Sequence, residues 1–200
     1  MLVLGLTGNI GCGKSSLSNI FMRNKINVVD ADLVSREIMN DKDTLDEIKK
    51  SFGNDIINEE SNLNRKKLAQ IVFNDDKELV KLNNITHPRI KEKINDKIKK
   101  IENNKENIVI VDGALLIEAN YLDIIDKLIV IVCDEKVQID RIIKRDNCSK
   151  EEAIIRIKSQ MSQDEKMKYA DYIIDNSADK LNLETKAEIL IEYIKEKWCV

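Results

Sequence analysis

One short motif near the start of the chain constrains its fold more than any other feature. Residues 8–15 read Gly-Asn-Ile-Gly-Cys-Gly-Lys-Ser and fit the pattern G-x-x-x-x-G-K-[ST]. An apolar run at Leu2–Leu6 precedes the motif, and a helical pattern at Lys14–Arg23 follows it. A strand, a glycine-rich loop and a helix in this order predict a P-loop, whose backbone N–H groups and helix N-terminus surround phosphate oxygens. The alternative is a chance match in a strand–helix turn.

The residue types in this loop predict separate contacts to a nucleotide. Lys14 is expected to reach the β- and γ-phosphates, and the Ser15 hydroxyl is expected to bind Mg²⁺. The Cys12 thiol lies beside inward N–H groups at a helix start, so we expect a lowered pKa and a reactive sulfur. The predicted nucleotide-binding residues of the loop are Gly11, Cys12, Gly13, Lys14, Ser15 and Ser16.

The remaining apolar runs predict a parallel β-sheet. They are continuous rather than alternating, which favours strands covered by helices on both faces. Helical patterns separate them, so the sequence predicts an α/β fold with right-handed crossovers. Besides Leu2–Leu6, the predicted strands are Asn27–Asp30, Asn107–Asp112, Lys127–Cys133 and Tyr172–Asp175.

The uneven spacing of these strands indicates an inserted helical lobe after the second strand. The sequence from residue 32 to residue 107 shows helical patterns and no convincing strand, which is too much for one crossover. The pair His87-Pro88 is expected to break the last of these helices. The helical patterns are Leu33–Met39 onward, Leu63–Phe73 and Asp76–Glu102.

Two further helical regions lie in the second half of the chain. The segment Glu135–Tyr169 is dense in Arg, Lys and Gln. The tail, Leu181–Trp198, has an amphipathic pattern and is predicted to pack on the sheet as a helix.

Composition excludes several classes of function. The formal net charge is −3 at pH 7, so no overall positive field favours nucleic acid or an anionic membrane. The cysteines form no C-x-x-C pair and the single histidine is remote from them in sequence, which argues against a zinc site or a disulfide framework. No run approaches the roughly 20 apolar residues that span a bilayer. We therefore expect a cytoplasmic protein with no nucleic-acid or membrane partner.

Acidic residues follow two of the predicted strands. Asp30 and Asp32 end the second strand, at the sheet edge where open α/β proteins bind ligands. One of these carboxylates can accept the proton of an alcohol, but Asp32 can also simply cap the helix that starts at Leu33. Asp112 ends the third strand, where it can organise a metal ion or serve an Asp-Gly turn.

A pair of arginines lies in the lysine-rich second half. Arg141 and Arg145 are four residues apart in a helical pattern, so both guanidinium groups lie on one face. Such a pair can clamp phosphates from a mobile lid. The alternative is a solvated charged face.

Taken together, these residues resemble the dephospho-CoA kinase family over nearly the whole chain. The P-loop is the most specific match, and the segment Val29–Asp32 with Arg36 follows it in the family's order and spacing. The other matching positions are Phe52-Gly53, Leu63-Asn64-Arg65, Phe73, His87-Pro88, Leu115-Leu116, Glu118, Gln138, Arg141, Arg145, Gln160, Lys166 and Ala170–Asn176.

The resemblance implies a P-loop kinase built from three parts. These are a nucleotide-binding core at residues 1–32, 107–134 and 170–200, a helical substrate lobe at 33–106, and a helical lid at 135–169. The implied reaction is the ATP-dependent phosphorylation of the ribose 3′-hydroxyl of dephospho-CoA, which gives coenzyme A and ADP. ATP with Mg²⁺ is the implied cofactor, and the sequence leaves the oligomeric state open.

The same resemblance implies roles for individual residues. Asp32 becomes the base that faces the 3′-hydroxyl, and it joins Lys14 and Arg141 as a catalytic residue. Arg141 and Arg145 both contact the phosphates, while Asn176 lies near the adenine. The residues implied to line the dephospho-CoA cleft are Asp32, His87, Pro88, Leu115 and Glu118.

At several positions the sequence departs from the family. Asn9 and Ala114 stand where the family usually has Gly and Pro, and Cys12 and Ser16 replace Ser and Thr. Asn64 replaces a common Asp. Asn tolerates left-handed backbone, so we expect the loop to keep its shape at Asn9. The loss of proline at Ala114 is expected to loosen the next turn and to affect substrate affinity.

Two alternative functions compete with the one that this resemblance implies. One is another P-loop small-molecule kinase, acting on a nucleoside monophosphate or shikimate, but the Asp-Ala-Asp segment and the His-Pro pair favour the coenzyme A precursor. The other is a GTPase-type switch or nucleotide sensor, which should carry Asn-Lys-x-Asp. The nearest string, residues 24–27, lacks the acid and comes too early in the chain.

Overall fold

The computed structural model describes residues 1–58 and 62–199, the side chain of Phe73 excepted. All five predicted strands are confirmed, each to within about one residue at its ends. The strands are β1 (Leu2–Thr7), β2 (Asn27–Asp30), β3 (Ile108–Asp112), β4 (Lys127–Val132) and β5 (Tyr172–Asp175). The helices are α1 (Lys14–Arg23), α2 (Ala31–Met39), α3 (Lys42–Phe52), α4 (Arg65–Asn74), α5 (Asp76–Asn103), α6 (Glu135–Asp146), α7 (Lys150–Lys158), α8 (Gln163–Met167) and α9 (Lys180–Tyr193).

The five strands form one parallel sheet in the order β2-β3-β1-β4-β5. The predicted parallel sheet flanked by helices is therefore confirmed. The order places β1 in the centre, so the P-loop that follows it lies at the carboxyl edge where such sheets bind ligands. In the register of the sheet, Asp30 of β2 pairs with Asp112 of β3, which brings two carboxylates side by side at this edge.

The chain divides into two compact units, Met1–Asp30 with Lys97–Val200 and Ala31–Asp96. The first unit contains the sheet, and its core is made by the strands together with α1 and α9. The tail helix is confirmed: α9 buries one apolar face and continues into a wider helical turn at Ile194–Trp198. Core side chains include Leu4, Leu6, Leu17, Phe21, Ile110, Ile129, Leu183, Ala187 and Leu190.

The second unit is helical, as the absence of strand patterns predicted. Its own apolar core joins α3, α4 and the start of α5. The sequence pattern did not separate α3 from α2, because the polar residues between them leave the hydrophobic spacing of both helices intact. The buried core residues are Ile48, Ile56, Leu63, Leu68, Val72 and Ile85.

Two details of this unit correct the sequence-based predictions. Helix α2 begins at Ala31 rather than Leu33, so Asp32 lies within the first turn and does not cap the helix. An acidic residue is favourable there because it faces the positive end of the helix dipole. The predicted break at Pro88 is also wrong, since α5 continues through it.

Burial explains why α5 tolerates its proline. Ile85, Ile90 and Ile94 are all buried, which stabilises the helix on both sides of Pro88. The proline removes one backbone donor. Nearby, the Arg89 guanidinium donates to the carbonyl of Ile85 at 2.8 Å, so a side chain adds a hydrogen bond to this stretch of helix.

The segment from α6 to α8 belongs to the first unit. Ser149 and Ser162 begin α7 and α8 with reciprocal capping boxes, which satisfy backbone donors at both helix starts. A small apolar cluster of Ile139, Ile142 and Ala153 joins α6 to α7, and Ile10 of the P-loop packs against it. Among residues 1–58 and 62–199, no helix has both the length and the apolar composition needed to cross a membrane.

Candidate active site

The P-loop links β1 to α1 through two glycines in the left-handed region. Gly11 and Gly13 have φ angles of 84° and 95°, which residues with a side chain rarely adopt. Asn9 has no positive φ, so the left-handed tolerance that we expected to matter there is not used. Instead, Asn9 is buried and its Nδ2 donates to the carbonyl of Met161 at 2.8 Å. Asn9 therefore ties the loop to the segment before α8.

The ammonium group of Lys14 is held by the carboxylate at the end of β3. Its Nζ lies 2.5 Å from Asp112 Oδ1, and the Ser18 hydroxyl donates to Asp112 Oδ2 at 2.5 Å. Asp112 is buried, with a side chain only 6 % exposed, so a charged partner is needed to offset its desolvation. Its carboxylate therefore does more than form an Asp-Gly turn.

The turn after β3 is fastened by a fully buried lysine. Lys166 Nζ lies 2.7 Å and 2.9 Å from the two carboxylate oxygens of Glu118, and it donates to the carbonyl of Ala114 at 2.8 Å. The Thr7 hydroxyl donates to the same carbonyl at 3.2 Å. These contacts oppose the loosening that we expected from the missing proline at Ala114. Glu118 also accepts from the backbone N–H of Met161.

The two arginines of α6 have different partners. Arg141 donates to the carbonyls of Asn176 and Ala178, at 2.9 Å and 3.1 Å, and so orders the turn after β5. Arg145 is mostly exposed and makes a two-point contact with Asp146. Hydrogen bonding to Asp146 raises the pKa of Arg145.

The other predicted site residues fall into two groups. In the first unit, Asn176 is buried and donates to the carbonyl of Cys12 at 2.8 Å, so it contacts the P-loop directly. Ser15 and Ser16 are exposed in the first turn of α1, and Leu115 is exposed after β3. The second unit holds exposed Asp32 and Pro88 and half-buried His87, whose pKa is lowered by burial.

The expectation of a reactive thiol at Cys12 is wrong. Its side chain is buried, its Sγ lies 3.4 Å from the Cys133 sulfur, and it donates to Gln163 Oε1 at 3.2 Å. The hydrogen bond with Cys133, followed by burial, raises the pKa of Cys12 well above its usual range. The same contact lowers the pKa of Cys133. The contact with Cys133, together with burial, thus outweighs the helix N-terminus that suggested a thiolate.

We expect alkylation of the folded protein to follow exposure rather than position in the P-loop. Iodoacetamide should modify exposed Cys199 first and buried Cys12 last, because a buried thiol with a raised pKa supplies little thiolate. Time-resolved peptide mass spectrometry measures both rates, and labelling in denaturant supplies the control. Equal rates for Cys12 and Cys199 in the folded protein would contradict this account.

From the sequence alone, no role was assigned to the glutamines that hydrogen-bond to the P-loop and to the end of β4. Gln138 donates to the carbonyl of Ile10 at 2.7 Å, while Gln160 accepts from its N–H at 2.8 Å. Gln163 bridges the Cys133 backbone, accepting at 2.9 Å and donating at 3.0 Å. Gln138 and Gln160 match the family, but neither that match nor the density of glutamine between residues 135 and 169 indicates which atoms they bind.

The fold and site define a class of protein. A P-loop after the central strand of a parallel sheet, with its lysine held by an aspartate on the neighbouring strand, is the arrangement of a P-loop kinase. The fold is similar to that of TT1252 from Thermus thermophilus, with a TM-score of 0.83, 24% identity, and coverage of 96% of this chain and 97% of that one. A shikimate kinase from Acinetobacter baumannii shares the fold more distantly, at a TM-score of 0.52 and 15% identity over 98% and 96% of the two chains.

Sequence comparison then identifies the family. The profile of the dephospho-CoA kinase family matches residues 2–182. The dephospho-CoA kinase of Listeria innocua is 41% identical over 87% of this chain and 88% of its own length, and that of Oceanobacillus iheyensis is 38% identical over 98% of each. A solved dephospho-CoA kinase from Campylobacter jejuni has a TM-score of 0.72 and 29% identity over 96% of both chains. The chain belongs to the dephospho-CoA kinase family.

Proposed function

We propose that this protein transfers the γ-phosphate of ATP to the ribose 3′-hydroxyl of dephospho-CoA, giving coenzyme A and ADP. The observation that carries the proposal is a complete P-loop, with Lys14 held at the carboxyl edge of the sheet, in a chain that matches this family from residue 2 to residue 182. We place the reaction in the cytoplasm, because the neighbouring free thiols of Cys12 and Cys133 suit a reducing compartment.

In the proposed mechanism the P-loop binds the phosphates of ATP. Backbone N–H groups from Gly11 to Ser16 and the N-terminus of α1 supply the donors. Lys14 exchanges the carboxylate of Asp112 for the β- and γ-phosphate oxygens, so its charge stabilises the transferring group.

The donor set at this edge fits Mg²⁺, which prefers a few protein oxygens together with phosphates and water. We propose that the Ser15 hydroxyl and the Asp112 carboxylate hold the ion, directly or through water. Asp30 is the neighbouring carboxylate at this edge, since it pairs with Asp112 in the sheet register. When bound, the ion neutralises charge on the phosphate oxygens.

For the acceptor we propose that Asp32 orients the 3′-hydroxyl and takes its proton, as a general base does. His87 and Pro88 line the dephospho-CoA site. Leu115 and Glu118 contribute from the turn after β3, where the Lys166 contacts keep Glu118 and the Ala114 carbonyl in place.

We propose that the remaining residues act on the nucleotide. Arg141 and Arg145 clamp the transferring phosphates after leaving the partners described above, and Asn176 lies near the adenine. Both guanidinium groups are on one helix, four residues apart, so they lie on the same face of α6.

Replacing either arginine should lower turnover more than it weakens binding of the acceptor. Arg141→Ala and Arg145→Ala each remove a charge that stabilises the transition state, so a loss of roughly tenfold to a hundredfold in kcat is expected. Arg156→Ala is the matched control, because Arg156 also pairs with Asp146 but has no proposed contact to phosphate. Normal kcat in both variants would instead limit Arg141 to the turn after β5 and Arg145 to its pair with Asp146.

A panel of acceptors tests the proposed function directly. ADP release is measured with dephospho-CoA, adenosine, nucleoside monophosphates and shikimate, each at equal concentration with Mg²⁺ and ATP. We expect dephospho-CoA to give the highest kcat/KM by a wide margin, and product analysis to place the phosphate on the 3′-oxygen. A preference for a nucleoside monophosphate or shikimate would overturn the proposal.

A further inference from the structure

Two amide side chains hold the P-loop by the carbonyls on its outer side. Gln138 of α6 donates through Nε2 to the carbonyl of Ile10 at 2.7 Å, and Asn176 donates through Nδ2 to the carbonyl of Cys12 at 2.8 Å. Gln138 is 1% exposed and Asn176 is 5% exposed, so both side chains are shielded from solvent. Buried amides of this kind are retained where a specific hydrogen bond is needed.

Each amide reaches its carbonyl through space left by a glycine. A Cβ on Gly11 would lie 2.9 Å from the backbone carbonyl oxygen of Gln138 and 3.1 Å from its side-chain Cγ. A Cβ on Gly13 would lie 2.2 Å from Asn176 Nδ2. The two glycines of the motif therefore admit the two amides in addition to permitting the left-handed backbone.

Because the peptide unit is planar, these contacts with carbonyl groups also fix the direction of the next N–H group in the loop. The described residues contain no cis peptide bond, and in a trans peptide the carbonyl and the next N–H point in opposite directions. The hydrogen bond from Gln138 holds the Ile10 carbonyl toward Gln138, so the N–H of Gly11 points away from Gln138. In the same manner, fixing the carbonyl of Cys12 aims the N–H of Gly13 away from the supporting side chain.

We infer that Gln138 and Asn176 are positioning residues that aim the N–H groups of Gly11 and Gly13 at the phosphates of the nucleotide. The inference rests on the proposed function and gives Asn176 a role toward the loop in addition to its proposed place near the adenine. Before nucleotide binds, Arg141, three residues after Gln138 on α6, also donates to the carbonyl of Asn176.

The test replaces each donor with a carboxyl group of nearly the same size. In Gln138→Glu and Asn176→Asp the ionised side chain cannot donate and repels the carbonyl it faces. At about pH 8, calorimetric titration with Mg²⁺ should show ATP and tripolyphosphate each binding about tenfold to a hundredfold more weakly than to wild type. The KM for dephospho-CoA should change less than about twofold.

Lowering the pH should reverse these losses. A protonated carboxyl donates an O–H to the same carbonyl, and burial raises the pKa of such a carboxyl toward the accessible range. Affinity relative to wild type at the same pH should therefore recover at about pH 6. Gln138→Met and Asn176→Leu lack the proton and should not recover, while Gln70→Ala, at an exposed glutamine of α4, should match wild type at both pH values.

Specific outcomes would overturn the inference. Folded carboxyl variants that bind tripolyphosphate normally at about pH 8 would remove the positioning role, and for Asn176→Asp a loss confined to ATP would assign the residue to the adenosine part. Absence of recovery at low pH, with an unchanged melting temperature, would also contradict it. If one variant fails to fold, the other carries the test.

Both titrations proceed without acceptor, so wild type that binds ATP but leaves dephospho-CoA unmodified would overturn the proposed function alone.

Discussion

Replacing Lys14 with alanine is expected to lower the turnover number by about 10²–10³-fold, which corresponds to roughly 3–4 kcal/mol of lost transition-state stabilisation. The physical reason is that Lys14 is the charged group of the P-loop that reaches the β- and γ-phosphates, where negative charge is redistributed during transfer. Steady-state assays with dephospho-CoA measure the loss, and circular dichroism with thermal melting reports the fold. Near-normal turnover in a folded variant would contradict the assignment of the loop.

The ion pair with Asp112 complicates this variant and also supplies its control. Lys14→Ala leaves the buried Asp112 carboxylate with the Ser18 hydroxyl but without the Lys14 cation, and so lowers the free energy of unfolding as well. The double variant Lys14→Ala with Asp112→Asn removes the charge and should regain part of that stability. It should not regain turnover. A matched surface control is Lys186→Ala, since Lys186 pairs with Asp175 outside the P-loop.

The sheet could be predicted from the sequence because each strand is a continuous apolar run. In a parallel sheet both faces are covered, so Ile129, Val130 and Ile131 of β4 are all buried, and such a run leaves little other interpretation. The P-loop was equally readable, because its spacing encodes both the backbone path and the charged contacts. Strand order, by contrast, depends on which strands pair across long distances in sequence.

Local rules failed where packing outweighed them. Pro88 is a helix breaker by its covalent structure, but the buried isoleucines of α5 keep the helix continuous. Cys12 has the sequence position of a reactive thiol, but the approach of Cys133 gives it the opposite character. In both cases the deciding neighbours are set by the tertiary structure.

The supports of the site were the least predictable part. Gln138 and Asn176 bind backbone carbonyls more than a hundred residues away along the chain, and a carbonyl leaves no mark in a sequence. Lys166 matches the family, but nothing in the residue pattern of this lysine-rich chain indicates that it is fully buried against Glu118. The spacing of residues in a sequence indicates which side chains share one helix or loop. These side chains instead connect elements that are far apart in the sequence.

The second large effect is expected at Asp32, where Asp32→Asn should retain ATP binding and lose phosphoryl transfer by about 10²–10⁴-fold, the usual contribution of a general base. The structure also predicts how this substitution affects stability. Asp32 lies inside the first turn of α2, so the substitution removes a favourable interaction with the helix dipole worth about 0.3–1 kcal/mol. Melting temperature should therefore fall slightly, while turnover falls by orders of magnitude.

Asp43→Asn is the matched control for this effect, because Asp43 is also exposed in the first turn of a helix, α3. It should show the same small loss of stability and a normal turnover number. Wild type should also phosphorylate dephospho-CoA far better than adenosine, because binding of the remote pantetheine and diphosphate helps to align the ribose. If Asp32→Asn behaves like Asp43→Asn, Asp32 serves the helix alone. The base must then be sought at Asp30, which pairs with Asp112 in the sheet beside the P-loop.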